Sequence, residues 1–386
     1  MNTATQTTNV LIIGAGPFGL SVAAYVQHLG LDYVVVGKIM EFWEKNMPEG
    51  MLLRSPCSWH LDVTGDATIE KYLALANHTP QQAEPISLDL YIRYVKWFEA
   101  QKQLNIISTY IEQLDRTEDG HFLALTNSGE SIKAKKVVIA IGFKYFTNLP
   151  ADIIDVLSEG SYAHTCDFVQ LHKMAGKRCL ILGGRQSAFE WAALLHEAGA
   201  AQVHVAYRHA TPTFTEADWS WVEQIVDNMP AHPDWYRELT TEQQDQVFYN
   251  LWAEGRLKLE PWLESRISVE TVHLLPHSKV TSCEQQPDGT YQVQFDIGNT
   301  VEVDHIALAT GYKPDLERVP FLKHGNLLPQ LSARSGFPYL DSSFQTNVPG
   351  LFITSLPAGK DFGPFFGFTV AARTSAKIIG DKLISM

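Results

Sequence analysis

A chain of 386 residues, 45% hydrophobic and 19% charged, holds enough apolar material for a large core and two domains, which excludes a disordered polypeptide. The formal net charge of -13, without any run of five or more lysines and arginines, argues against phosphate-backbone binding, so no nucleic-acid partner is expected. The four cysteines, Cys57, Cys166, Cys179 and Cys283, lack C-x-x-C spacing; this excludes a zinc knuckle or a redox dithiol of the common type, and no metal site is expected.

Taken in chain order, residues 1–8 carry neither the basic region nor the apolar stretch of a secretion signal. The apolar segment from Val10 to Val26 is broken by glycines and Pro17, so it reads as strand, turn and helix rather than as a membrane span. A cytoplasmic protein without a membrane partner is expected. Asn9–Ile13 is a wholly apolar strand, as a central parallel strand should be. It runs into Gly14-Ala15-Gly16-Pro17-Phe18-Gly19, then a helix over 20–29 that stops at Gly30, then a second strand, Tyr33–Val36. G-x-G-x-x-G between a strand and a helix is the fingerprint of dinucleotide binding: the second glycine lets the backbone approach a pyrophosphate at the helix start. The carboxylate that usually ends the second strand is missing. Gly37 and Lys38 stand there, Glu41 and Glu44 are the nearest acids, and none is assigned to the ribose. A further strand, 136–141, ends in a small-x-Gly turn at Gly142, fit for close passage beside a nucleotide.

A second copy follows 169 residues later: strand 178–182, the turn Gly183-Gly184-Arg185-Gln186-Ser187-Ala188, a helix over 188–198 and a strand over 203–207. Arg185 holds the place of the second glycine. It either reaches out as a phosphate clamp or fills the groove, and charge favours the clamp. Arg208 and His209 end the second strand, where a basic group suits the 2′-phosphate of NADP. Between 211 and 263 lies an aromatic-rich insert with five of the nine tryptophans. Within it, Thr240-Thr241-Glu242-Gln243 matches a capping box and predicts a helix over 241–254. These aromatics read as a small satellite core, and some as a wall of a substrate pocket. The strand 304–309 then runs into Thr310-Gly311-Tyr312, an echo of the turn at Gly142.

The fold class expected is α/β with two Rossmann-like dinucleotide-binding domains, the second inserted in the first: 1–150 with 304–386, and 151–303, the latter carrying the helical insert. The chain resembles the class B flavin-dependent monooxygenases, namely the flavin-containing, Baeyer–Villiger and N-hydroxylating enzymes. The resemblance rests on Gly14–Gly19, Trp43, the Gly160-x-x-x-His164 linker, the second glycine loop and Ala309-Thr310-Gly311-Tyr312. It implies FAD on the first unit and NADPH on the second, with a flavin in reach of Trp43, Arg54 and Ser55. It also implies a C-terminal return through Phe366 and Thr369 over the flavin's pyrimidine end. The reaction implied is oxygenation of a small nitrogen, sulfur or carbonyl compound by dioxygen through a flavin C4a-hydroperoxide. The loop 54–60 lacks the asparagine that such enzymes often place by the flavin, which leaves open a reductase or dehydrogenase of the same fold and, further off, a non-catalytic flavin sensor. No catalytic side chain is singled out; His60, His164 and His209 read as structural or nucleotide contacts. Oligomeric state is left open, a homo-oligomer included.

Overall fold

The structure, a computed structural model, describes residues 5–255 and 257–386; residues 1–4 of the N-terminal stretch read above lie outside it. The first unit is strand β1 (Gln6–Ile13), helix α1 (Pro17–His28) and strand β2 (Tyr33–Val36). The short helix α2 (Glu41–Lys45) and the long helix α3 (Leu88–Lys102) follow. Strand β3 (Ser131–Ile139) pairs parallel with β1 from Ile132 to Ile139 and, over its first half, also antiparallel with the strand Phe122–Thr126. Val10 to Ile13 and all of β2 are buried, as expected of strands covered on both faces.

Helix α4 (Ala151–Ile154) and strand β4 (Tyr162–His164) lead into the second unit. There strand β5 (Arg178–Leu182), helix α5 (Gln186–Glu197) and strand β6 (Gln202–Ala206) repeat the first arrangement. With β7 (Val272–Leu275) and β8 (His305–Leu308) they form a five-stranded parallel sheet in the order β7-β6-β5-β8-β4. β8 corrects the expected domain boundary at 304: it lies between β5 and β4 as an interior strand of the second sheet, so the chain returns to the first domain only after Leu308. The physical reason is close packing. A Cβ on Gly183 would come 2.5 Å from the Ala309 carbonyl oxygen, just as one on Gly14 would come 2.3 Å from that of Ala140. The glycine loop and the strand-end turn therefore form one unit in each domain, and β8 must stay beside β5.

The insert contains a two-stranded parallel ladder, Thr213–Phe214 with Lys258–Leu259, and the helices α6 (Ser220–Asn228) and α7 (Thr241–Gly255). The capping box forms at α7: the Gln243 N–H donates to Thr240 Oγ1 (3.3 Å) and the Thr240 N–H to Gln243 Oε1 (2.9 Å). The last segment returns as strand β9 (Leu351–Ile353), parallel to β3, and ends in helix α8 (Ala371–Ile384) packed on α1. No helix among the described residues is long and apolar enough to cross a membrane.

Candidate active site: two cavities that meet

Each unit opens a cavity at the carboxyl ends of its parallel strands, the place where nucleotides bind in such sheets. With the open solvent at their mouths included, the two span about 1040 and 1730 Å³.

The first cavity is lined by Gly14, Gly16, Pro17 and Phe18 at the start of α1, and further along by Lys38, Trp43, Gly142, Phe366 and Thr369. A Cβ on Gly16 would meet no atom within 4 Å, only the cavity. That empty space beside bare backbone N–H groups at a helix N-terminus is what a pyrophosphate requires. Gly19 does not line the cavity: its own Cβ would fall 1.9 Å from the Gly14 carbonyl oxygen, so it serves the contact of helix with loop. No acid ends β2, but one lines the cavity from α2. Glu41 is the only acid lining this cavity among the described residues. Burial pushes its carboxyl up, but the hydrogen bond from Lys45 and the charges of Lys144 and Lys38 outweigh it and hold Glu41 below the usual carboxylate range. Lys144 lies 3.5 Å from the centre of the Tyr110 ring, with Lys38 at 5.2 Å from it.

Ser355 also lines the first cavity, 1% exposed and at φ 64°. A serine in this sparsely populated region is strained, and such strain collects at functional sites. Its Oγ accepts the Gly142 N–H at 3.2 Å, which joins β9 to the turn after β3.

The second cavity is lined by Gly183, Gly184, Arg185 and Ser187, then by Arg208 at the end of β6 and by Thr310 and Gly311. Gln186 turns away, its Oε1 accepting the Glu260 N–H at 3.1 Å. Asp152, Ser278 and Lys279, which no sequence motif marks, line this cavity as well. His164, buried, places its Nε2 3.0 Å from the Gly311 carbonyl oxygen. Burial lowers its pKa, and a neutral ring protonated on Nε2 donates there while Nδ1 accepts the Cys166 N–H at 3.3 Å. It fixes the 309–312 turn.

The cavities are not separate. Phe143, Leu356, Gly367 and Phe368 line both. These four residues carry no charge, and the insert packs against the stretch from Phe365 to Phe368. Trp219 packs 6.0 Å from Phe368, while Trp221 and Trp235 lie 5.5 and 6.3 Å from Phe365. A signal for them stood in the sequence: Phe143 follows the Gly142 turn, and Gly367 and Phe368 lie between the two residues named from the C-terminal return.

Arg54 lines neither cavity. Its Nε donates to Glu260 Oε1 at 2.6 Å and its other nitrogens to the Gly255 and Lys258 carbonyls, with the guanidinium 5.2 Å from the Trp219 ring centre. It clamps the insert, where the sequence reading expected a cofactor contact. Ser55 stands one residue behind the wall, its Oγ accepting from Thr369 Oγ1 at 3.1 Å. His60 accepts from Arg373 at 2.7 Å; burial and that neighbouring charge push it down to about 4.

Residues 11–247 match the family model described as pyridine nucleotide-disulphide oxidoreductase. The chain belongs to the pyridine nucleotide-disulphide oxidoreductase family. It is accordingly a pyridine-nucleotide-dependent oxidoreductase in class. Among curated relatives, a ferredoxin–NADP reductase of Paraburkholderia phymatum is 28% identical over 214 residues, 55% of this chain and 54% of that protein. The match spans about half the length of that relative. Among solved structures, the ornithine N-hydroxylase of Kutzneria sp. 744, with reduced FAD, NADP+ and L-ornithine, superimposes with a TM-score of 0.81 at 15% identity, covering 98% of this chain and 99% of that one. The bacillithiol disulfide reductase of Staphylococcus aureus gives 0.68 at 18% identity, covering 99% of each. At such identities the likeness is one of fold, and it covers the whole two-domain architecture.

Proposed function

We propose that the protein is an NADPH-dependent flavin monooxygenase that oxygenates a small organic compound at nitrogen, sulfur or a carbonyl, with dioxygen as co-substrate. One observation carries the reading: the two nucleotide cavities share an uncharged wall of Phe143, Leu356, Gly367 and Phe368. Bound there, FAD supplies a ring that accepts a hydride from a nicotinamide and passes the electron pair onward. The chain's own residues do the rest. The first glycine loop and Glu41 hold one nucleotide, while Gly183, Gly184 and Arg185 hold the other. Trp219, Trp221 and Trp235 back the shared wall and keep water from it, as oxygen transfer needs.

The name of the Paraburkholderia relative supports a second reading, a reductase that hands its electrons to a protein or disulfide acceptor. The four cysteines of this chain are unbridged, and Cys57, Cys166 and Cys179 are buried, so the chain offers no dithiol of its own for that transfer.

The test is stoichiometry. With a panel of amines, sulfides and ketones, NADPH consumed, peroxide released and oxygenated product are measured together. The monooxygenase reading expects at least one compound to suppress peroxide and yield product. No product from any compound, together with rapid electron delivery to ferredoxin or a disulfide, would overturn it.

A further inference from the structure

At the end of β6, the charges lining the second cavity go beyond Arg208. Four basic side chains line this cavity (Arg185, Arg208, His209 and Lys279), with Asp152 as the only acid among the described residues. The backbone fixes Lys279 beside Arg208: the segment after β7 is zipped along the end of β6 by Ser278 N–H to Tyr207 O (2.9 Å) and His277 N–H to His209 O (3.2 Å). Asp296 accepts the Lys279 backbone N–H at 2.9 Å, which anchors the residue while its side chain stays exposed. On the opposite side, Asp152 on α4 holds Arg208 at 3.4 Å, with both side chains largely exposed.

We infer that Lys279 is a second cation for the 2′-phosphate of NADPH, and that Asp152 is a competing counter-ion which holds Arg208 across the cavity until the phosphate displaces it. This rests on the placement of NADPH in the second cavity and adds two specificity-determining residues to it. An exposed ion pair is weak and easily exchanged. A phosphate carrying close to two negative charges outcompetes one carboxylate for Arg208, and Lys279 then adds its own contact. A nucleotide without the 2′-phosphate gains from neither, so the pair discriminates without contributing to general nucleotide affinity.

The experiment uses the FAD-loaded protein and two fragments, 2′,5′-ADP and 5′-AMP, with binding measured by calorimetry and no turnover. Lys279→Ala should weaken 2′,5′-ADP roughly tenfold and 5′-AMP less than about twofold. Asp152→Asn should tighten 2′,5′-ADP by about threefold and leave 5′-AMP unchanged. Arg208→Ala serves as the reference, losing 2′,5′-ADP preference outright. Equal losses of both fragments in Lys279→Ala, or weaker 5′-AMP binding in Asp152→Asn, would overturn the inference while leaving the cavity a nucleotide site. Failure of both fragments to bind the unaltered protein would sink the placement of NADPH itself.

Discussion

Gly16 and Arg185 occupy the same place in the two units, and they show how much one side chain decides. A Cβ on Gly16 would point into open cavity, so Gly16→Val leaves the fold unstrained and takes the space of the pyrophosphate. The variant should purify folded and nearly colourless; full FAD content in it would contradict the assignment of the first loop. Arg185 is exposed on the second cavity's wall, with extended backbone at φ -120° and ψ 178°. A charge-assisted phosphate contact there is worth roughly 1.5–3 kcal/mol. Arg185→Gly should therefore bind NADPH about tenfold more weakly and slow anaerobic flavin reduction, whereas faster reduction would show that the arginine was an obstruction. Both positions were legible from spacing alone. Glu41 and Ser355 were not, because a short helix and a strained turn bring them to the cavity, and neither leaves a periodic trace in the sequence. Gly184 was half legible. Its place in the loop is evident, but the need for it is not: a Cβ there would lie 2.5 Å from the Tyr207 Cβ and from His209 Nε2, and that contact comes from the far end of the repeat.

At the level of elements, the paired βαβ units were legible because apolar strands, glycine turns and amphipathic helices all agree locally. The join between them was not, and two side chains carry much of it. Arg54, read from sequence as a cofactor contact, ties the 51–59 loop to the insert. Its side chain and that of Glu260 are 17% and 14% exposed, so Arg54→Ala strands a mostly buried carboxylate. It should cost about 2–4 kcal/mol, seen as a melting temperature lowered by several degrees, with FAD content retained. Loss of FAD with an unchanged melting temperature would instead restore the cofactor role.

Glu190 on α5 marks the other join. Its Oε1 accepts the Leu52 N–H at 3.3 Å and a hydrogen bond from Arg266 at 3.1 Å, while Oε2 is buried without a partner. Burial raises its carboxyl from 4.5 to about 7 against the opposing charge of Arg266. Across that window the folded protein keeps a proton that the unfolded chain has shed, so stability falls as pH rises and the loss is complete above about 7. Glu190→Gln preserves the Leu52 contact and removes the titration. Its melting temperature should gain on the unaltered protein between pH 5 and 8; parallel profiles for the two would contradict this account.

In the whole molecule, two cavities built from a repeated unit, and proposed here to hold nucleotides, meet at an uncharged wall with the aromatic insert packed against it. The sequence disclosed the repeat, because its periodicity is local. It could not disclose the meeting, because Phe143, Leu356, Gly367 and Phe368 come from three separate stretches of chain and converge only through tertiary packing. The insert is the part with the weakest local signal. α7 leaves Phe248 and Tyr249 42% and 57% exposed, and its contribution lies in what Trp219 and Trp221, ahead of α7, cover. The measurement that tests the claim most directly is an anaerobic titration of the purified flavoprotein with NADPH, followed by the visible flavin absorbance. The account predicts bleaching complete at about one equivalent, since one hydride pair reduces one flavin across the shared wall. A protein that holds FAD and binds NADPH, yet keeps its flavin oxidised, would contradict it.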